Sequence, residues 1–299
     1  MELIGQILEY FTYSPRDLLH FSPRTYFRLF AINNDAVWPA QLVMSALGAA
    51  MAWLVAGAPR PSGGVGALHP SRRPLTRAPH PSRRAYGPPQ DDAIQLGSQE
   101  TRHPEEGPSR SDGPVSKDQR RDRIERRAVF AILAASWLFV AQTYLRGQLA
   151  TIHLAGMQFA LAFVAQAALL LALGVARRDP EAAAPGDARR RVGLAIIVLA
   201  VAIYPLIAPL AGRPWAQAEI FGIAPDPTVA ATLGALVASG LRTRVLAALL
   251  PLPLAWCAVT GVTLWTLDAP AFWLMPALGA AAAIAIAGGR TSARSTNPR

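Results

Sequence analysis

The sequence predicts an all-α fold, a polytopic membrane bundle of about seven transmembrane helices with an amphipathic, interfacial N-terminal segment. Of the 299 residues, 52% are hydrophobic and only 16% are charged, whereas soluble domains carry about 25% charged residues. The mean hydropathy is positive, at +0.25. The apolar residues come in long blocks, and roughly 20 apolar residues in a helix cross a hydrocarbon core about 30 Å thick. These observations exclude an ordinary water-soluble enzyme.

The N-terminal segment, residues 1–35, is aromatic and amphipathic. It lacks the basic start, apolar core and small-residue cleavage site of a signal peptide. Ser14-Pro15 and Ser22-Pro23 both resemble helix starts, because serine caps the first N–H groups and proline fits the first helical position. We therefore predict two short helices lying on the outer membrane interface.

Seven apolar segments follow. The first is 36–57, and the other six form a predicted membrane bundle over 128–289: they are 128–145, 150–176, 192–211, 227–241, 245–267 and 270–289. The fifth segment has about 14 residues of clean helix, which reach only about 21 Å. From the sequence it either spans the membrane or is re-entrant.

The distribution of basic residues predicts the orientation. If seven segments alternate, 24 of the 29 Lys and Arg residues lie on the side of the 58–127 loop and 5 on the other. A re-entrant fifth segment lowers this ratio to 19 against 10. The positive-inside rule therefore favours seven spans in the cell inner (plasma) membrane, with the N-terminus outside and the C-terminus cytoplasmic. An aromatic belt is predicted at the outer interface from Trp38, Trp215, Trp265 and Trp273.

The loop 58–127 is basic and rich in proline and arginine, without apolar periodicity. It repeats His-Pro-Ser-Arg-Arg at 69–73 and 80–84. Such a segment cannot bury enough surface to offset its chain entropy, so we predict a disordered cytoplasmic loop, and likewise a disordered tail at 290–299. Anionic lipid headgroups are its candidate partner. A nucleic-acid partner is not expected, because the basic residues cluster in loops between apolar blocks.

The densest polar signal joins the fourth and fifth segments. Its candidate substrate-binding residues are Arg213, Trp215, Glu219, Asp226 and Thr228. Glu219 stands among apolar residues near membrane depth, where charges are usually paired and functional, and Arg213 is its predicted partner. Asp226 suits the N-cap of the fifth segment. A helix N-terminus after a broken helix resembles the devices that transporters use for anions.

Arg24 and His153 complete the candidate set. Arg24 lies on the same predicted side of the membrane as Glu219 and is an alternative partner for it. His153 is polar within the apolar third segment. It is either a hydrogen-bonding group between helices or part of a proton or substrate relay.

Several classes of chemistry have no signal in the sequence. We find no nucleophile elbow, Walker loop, His-Glu-x-x-His motif or dinucleotide-binding turn. The single lysine, Lys117, lies in the polar loop, which excludes a retinal protein. The single cysteine, Cys257, excludes an intrachain disulfide and a Cys-based metal cage. We expect no catalytic residues, no metal site and no cofactor.

Four motifs resemble a known family. They are Phe21-Ser22-Pro23-Arg24-Thr25-Tyr26, Val37-Trp38-Pro39-Ala40-Gln41, Phe221-Gly222-Ile223-Ala224-Pro225-Asp226-Pro227-Thr228, and Trp256-Cys257 before Gly261. Together they resemble an uncharacterised family of bacterial multi-pass integral membrane proteins, over residues 10–30, the first span and about 127–279. The resemblance implies a membrane location but no activity, and the loop 58–127 is longer than the family leads us to expect.

Three functions remain open on the sequence. The first is a transporter-like or small-solute-binding protein with its site on the outer side, between the N-terminal segment and the linker 213–228. The second is a non-catalytic membrane scaffold or partner subunit. The third is an intramembrane enzyme using Glu219 and Asp226 as acid and base. The three functions predict different structures. A transporter needs a polar cavity that reaches the midplane, a scaffold should have a dry bundle with small-residue grooves, and an enzyme needs the two carboxylates to converge in one cleft.

Overall fold

The computed structural model describes residues 21–57, 117–176 and 186–295, and within these ranges the regular secondary structure is helical, with no strand. The first of the two predicted N-terminal helices, most of the 58–127 loop and residues 296–299 of the tail lie outside the described residues. Residues 290–295, predicted to be part of a disordered tail, instead continue a helix that ends at Ser295. The helical class predicted from the sequence is confirmed.

The described residues contain nine α-helices of seven residues or more, numbered here in chain order: α1 Pro23–Ala36, α2 Ala40–Gly57, α3 Lys117–Val140, α4 Gly156–Leu169, α5 Asp187–Val198, α6 Pro225–Ala238, α7 Thr243–Leu249, α8 Pro251–Thr266 and α9 Leu274–Ser295. Helices α3 and α4 continue without a break into π-helical turns at Ala141–Arg146 and Leu170–Ala176. Helix α1 starts as predicted, with Pro23 in its first turn and the Ser22 hydroxyl accepting a hydrogen bond from the Thr25 amide at 3.2 Å.

Helix α3 begins earlier than the hydropathy of the sequence indicates. Residues 117–127 were assigned to the loop, but α3 starts at Lys117. This stretch is charged, and it contains no proline or glycine to stop a helix. An ion pair between Arg121 and Glu125, at 2.7 Å and one turn apart, supports the helical geometry. Hydropathy marks where the apolar part of a helix starts rather than where the helix starts.

Helix α5 ends irregularly, next to the candidate site. It passes through a π-helical turn at Leu199–Ile203, a 3₁₀ turn at Tyr204–Leu206 and a last α-helical turn at Ile207–Leu210. Pro205 has no N–H to continue the α-helical ladder, which accounts for the break at this position. Tyr204 therefore sits at a turn where the helix changes pitch.

Five stretches in the described ranges are long and apolar enough to cross a membrane: Ala40–Gly57, Arg123–Thr151, Gly156–Ala176, Asp187–Leu210 and Thr243–Thr266. They indicate a membrane location. Helix α9 contains a shorter apolar stretch, Leu274–Gly288, and α6 has 14 residues. By helix length and composition, five of the seven predicted spans are therefore found in the described ranges.

Contacts between helix ends define two opposite ends of the bundle. At one of them, which we call the α1 end, the ring of Phe30 in α1 stacks on the ring of Tyr144, after α3, with 4.7 Å between the ring centres. The ring of Phe21 lies 5.9 Å from His153, before α4. At the opposite end, Nε and Nη2 of Arg190, at the start of α5, both donate to the carbonyl oxygen of Val55 at the end of α2, at 3.0 and 2.8 Å. The end of α2 and the start of α5 therefore lie together at this end.

Helix α6 is the centre of the bundle. Its residues from Pro225 to Val237 are all buried, and it packs against α3, α5, α8 and α9. Glycines make the α5 contact possible, because a Cβ on Gly193 would stand 2.5 Å from the Gly234 carbonyl oxygen. The Trp137 indole of α3 donates to the Thr232 hydroxyl at 2.8 Å. The apolar character of this helix therefore reflects packing against protein.

Candidate functional site

The linker 211–224 joins α5 to α6 at the α1 end, and its shape depends on two glycines. Gly212 and Gly222 have φ values of +73° and +77°, which side chains other than glycine rarely adopt. The Gly222 amide donates to the Thr228 hydroxyl at 2.9 Å, and that hydroxyl donates to the Ala224 carbonyl oxygen at 2.7 Å. Thr228, a predicted substrate-binding residue, is buried and both of these contacts tie it to the linker backbone.

The linker is also attached to α1. The side-chain amide of Asn34 donates to the carbonyl oxygens of Ala216 and Ala218, at 2.9 and 2.8 Å. The Gln41 side chain, in the first turn of α2, donates to the Asn34 carbonyl oxygen. Helix α1 and the linker therefore form one connected wall at this end of the bundle.

Arg213 and Glu219 face each other across the linker, as the sequence predicts. Arg213 Nη2 lies 3.4 Å from Glu219 Oε1, and the two side chains are 15% and 9% exposed. The guanidinium carbon of Arg213 lies 3.9 Å from the centre of the Phe27 ring, a cation–π contact. Within the described part of the chain, Arg213 Nη1 is buried without a hydrogen-bond partner.

This pair lines a cavity of about 240 Å³ between α1, the linker and the turn that joins α8 to α9. Its polar lining is Tyr204, Arg213, Glu219 and Asp268, and its apolar lining includes Phe27, Ile207, Leu264, Leu267 and Ala271. A hydrogen-bonded Arg–Glu pair against apolar walls is the composition of small-molecule sites, in which a few polar groups fix orientation.

Asp226 lies in a separate buried cluster next to this cavity. Its Oδ1 accepts from Trp256 Nε1 and Thr260 Oγ1, both at 2.8 Å, and its Oδ2 accepts from the Tyr204 hydroxyl at 3.1 Å. Asp226 is 2% exposed and is absent from the cavity lining. The cluster joins α5, α6 and α8 by hydrogen bonds to one carboxyl group.

The prediction that Asp226 caps α6 is wrong. The helix starts at Pro225, with Ala224 in the N-cap position and no side-chain cap bond. Both Pro225 and Pro227 fit a first helical turn, so the helix begins before Asp226. The carboxyl oxygens of Asp226 instead accept hydrogen bonds from three side chains of neighbouring segments.

Burial is the main electrostatic influence on Glu219. It raises the pKa of this carboxyl from 4.5 to about 8; nearby Asp226 raises it as well, while Arg213 lowers it. Burial disfavours the charged form of a carboxyl, and the ion pair offsets this cost only in part. The Glu219 side chain therefore exchanges its proton near neutral pH.

The other predicted site residues stand apart from the cavity. Trp215 is 62% exposed, and Arg24 is an exposed residue of α1. His153 accepts a hydrogen bond from the Ala155 amide at 3.0 Å, and its ring lies 5.7 Å from that of Phe159. None of the three lines this cavity in the part of the chain that the structure describes.

Sequence reasoning missed the residues that complete the two polar groups. Phe27 and Asp268 reach the cavity, and Tyr204, Trp256 and Thr260 hold Asp226. One signal was available, since Trp256 and Thr260 are spaced i and i+4 and therefore share a helix face. In residues 21–57, 117–176 and 186–295, no group of three His, Cys, Asp or Glu side chains is placed to hold a metal ion.

In the comparison with protein families, residues 115–297 match a model described as a family of unknown function. This range is more than half of the chain. The chain belongs to DUF6064. The DUF6064 match contains Arg213, Glu219 and the Asp226 cluster, and it begins after α1 and α2. Comparison with curated proteins and with solved structures gave no match.

The family found agrees with the resemblance in one respect, namely that its function is unknown. Membrane location and the motif at residues 221–228 are not part of the DUF6064 description, so as family properties they stay predictions. In this chain the motif residues Gly222 and Thr228 shape the linker, and Asp226 connects three helices.

Proposed function

We propose that this chain is an integral membrane protein that binds a small solute in the cavity at the α1 end. The observation that supports it is the largely buried Arg213–Glu219 pair, with side chains 15% and 9% exposed, lining a cavity with otherwise largely apolar walls. At about 240 Å³, the cavity is below the roughly 300–1,000 Å³ of pockets for drug-sized ligands. The solute is therefore a small one, with a polar group for Arg213 or Glu219 and a short apolar part.

Binding is a better proposal than an open transport path. A transport path needs a polar cavity reaching the middle of the bundle, whereas α6 is buried there from Pro225 to Val237. The Asp226 oxygens are engaged by three neighbouring side chains. A transport cycle would have to separate α6 from α5 or α8. Acid–base catalysis by Glu219 and Asp226 has less support, because Asp226 does not line the cavity.

A non-catalytic membrane scaffold is the second candidate. It is favoured by the close backbone contact of Gly193 with Gly234, which is typical of tightly packed membrane helices. A scaffold has no need of a solute, so the binding experiment below separates the two proposals.

The proposed topology has seven spans in the inner membrane, with the N-terminus outside and the C-terminus cytoplasmic. Two observations support it: the start of α5 lies beside the end of α2, away from the α1 end, and arginines stand at the start of α5 and of α7. The loop 58–127 would then face anionic lipid headgroups in the cytoplasmic leaflet. Reporter fusions after Arg178 and after Arg290 should both report the cytoplasm. A periplasmic signal from the second fusion would contradict seven spans.

Solute binding can be tested by thermal unfolding of the purified full-length protein in detergent. The panel consists of small monocarboxylates, amines, amides and sugars. Melting detects binding because a ligand that binds only the folded state raises its stability by about 2.7 kcal/mol at 100 times its Kd. Ala271→Leu places extra side-chain volume in the cavity. The matched control is Ala277→Leu, at an exposed position of α9 that is absent from the lining.

We expect at least one solute class to raise the melting temperature of the wild type and of Ala277→Leu, but not of Ala271→Leu. If no class does so, solute binding is rejected and the scaffold proposal gains. If a solute stabilises all three proteins equally, it binds outside this cavity and the proposal is equally contradicted.

A further inference from the structure

We propose that the solute is a small monocarboxylate bound through Arg213, with Glu219 holding a proton in the complex; this inference rests on the proposed function. Three features of the cavity lead to it: the unused hydrogen-bonding capacity of Arg213, the balance of charges around Glu219, and the apolar walls.

Arg213 has donor capacity that Glu219 does not use. The contact from Nη2 to Glu219 is 3.4 Å long, whereas charge-assisted N–H···O bonds are typically about 2.7–2.9 Å. Nη1 is buried with no acceptor among the described residues. Phe27 covers one face of the guanidinium and leaves its donor-bearing edge for an acceptor. A carboxylate matches this edge, because its two oxygens can accept two parallel N–H groups.

The walls and the charge balance favour one negative charge and a short apolar chain. Ile207, Leu264 and Leu267 line the cavity beside Arg213, and they offer no hydrogen bonds to a second polar group. Arg213 is the cation of the cavity lining, and Glu219 and Asp268 are its carboxyl groups. A dianion such as phosphate would meet one cation and two carboxyl groups, so a monocarboxylate is the better match.

The same charges link binding to a proton on Glu219. The titratable groups that face Glu219 from the surrounding elements are Tyr26 of α1, Tyr144 after α3, Tyr204 after α5, Arg213 of the linker, Asp226 of α6 and Asp268 after α8. Arg213 is the cation in this set, and a bound carboxylate would compete with Glu219 for it. The added negative charge favours the neutral form of Glu219, whose O–H then donates a hydrogen bond to the ligand.

No bond between heavy atoms forms or breaks in this process; where Glu219 starts ionised, the one change is an O–H bond formed with a proton from solvent. The anion enters from solution and Glu219 keeps, or takes from water, one proton, so the complex gains one anion and at most one proton. Burial raises the pKa of Glu219 to about 8 in the unliganded protein. Most Glu219 side chains are therefore protonated at pH 7 and most are ionised at pH 9.

The test is calorimetric titration of the full-length protein in detergent with sodium propionate, at pH 7 and pH 9. We expect the affinity to fall about tenfold between the two, since the protonated fraction of a group with a pKa of about 8 falls by that factor. Glu219→Gln, which is neutral at both values, should bind with equal affinity at both. The matched control Asp35→Asn, at an exposed carboxyl of α1, should keep the tenfold change.

Arg213 is tested with two variants. Arg213→Gln should lose propionate binding by at least a factor of ten, while Arg213→Lys keeps the charge without the planar pair of donors and should bind with intermediate affinity. A melting curve of each variant without ligand shows whether it is folded. Undiminished binding by a folded Arg213→Gln protein would overturn the proposal.

Uncharged and cationic analogues separate this inference from the proposed function. If propionamide or propylammonium binds in a way that Ala271→Leu abolishes, and propionate does not, the monocarboxylate is rejected while solute binding stands. If propionate binds equally at pH 7 and pH 9, the proton on Glu219 is rejected. If nothing in the panel binds, both proposals are rejected.

Discussion

Replacing Asp226 with alanine should strongly destabilise the bundle. The carboxyl accepts hydrogen bonds from Tyr204, Trp256 and Thr260 at 2.8–3.1 Å, and the site is 2% exposed. Asp226→Ala leaves three buried donors without a partner, each costing about 1–3 kcal/mol. Removing a buried carboxyl also removes its own desolvation cost. The net loss should therefore be about 3–6 kcal/mol.

Smaller changes in the same cluster should cost less. Asp226→Asn keeps an acceptor for Trp256 and Thr260 and places an N–H₂ beside the Tyr204 hydroxyl, which can rotate to accept. Thr260→Val replaces one donor with a side chain of similar shape and should lower the free energy of unfolding by about 1 kcal/mol. In the Asp226→Ala background the same Thr260→Val change should cost almost nothing, because its partner is already absent.

Thermal unfolding in detergent, followed by circular dichroism, measures this series. The expected order of melting temperature is wild type, then Thr260→Val and Asp226→Asn, then Asp226→Ala about 10 °C or more below wild type. The exposed Asp35→Ala is the control for loss of one carboxyl. An Asp226→Ala protein that melts like wild type would refute the reasoning, since dehydration of the carboxyl would then outweigh its three hydrogen bonds.

Three further predictions follow from Glu219 and from the packing of α6. The pKa of Glu219 is about 8 in the folded protein and near 4.5 in the unfolded chain, so the folded state binds more protons between these two values. The free energy of unfolding should therefore fall as the pH rises from 5 to 8. Glu219→Gln should flatten this decline in melting curves recorded over that pH range. The double-mutant cycle of Arg213→Gln and Glu219→Gln should show a favourable coupling at pH 9, where the pair is ionised, and a smaller one at pH 6; additive losses at both pH values would show that the two side chains do not interact. Gly193→Ala should cost about 1–3 kcal/mol in unfolding measurements, because its Cβ would stand 2.5 Å from the Gly234 carbonyl oxygen, whereas Gly57→Ala, with no atom within 4 Å, should be neutral.

Hydropathy predicted the long apolar helices well, because lipid-facing segments need about 20 apolar residues. It was less informative for α6, in which 13 of the 14 residues, Pro225 to Val237, are buried inside the protein. A buried helix and a lipid-facing helix have similar compositions, so spanning and burial cannot be separated by hydropathy alone. The start of α3 was placed too late for a related reason, since its first turns are charged.

The candidate site was predictable where its partners are close in sequence. Arg213 and Glu219 are six residues apart, and the structure pairs them. The partners of Asp226 are 22 to 34 residues away, on helices whose relative rotation the sequence does not fix. Without that rotation, Asp226 next to a proline resembled an N-cap. Pairings between helices depend on packing, which single-sequence patterns do not report.

The central position of α6 has a consequence for the order in which the protein is made. Two of the helices that cover it, α3 and α5, precede it in the chain, while α8 and α9 follow it. During synthesis, α6 is therefore complete before half of its final neighbours exist. The face that later contacts α8 and α9 must be covered by lipid, by the insertion machinery or by a chaperone until the last helix leaves the ribosome. A nascent chain truncated after residue 242 would lack α8 and α9, and its Asp226 carboxyl would lack two of its three donors.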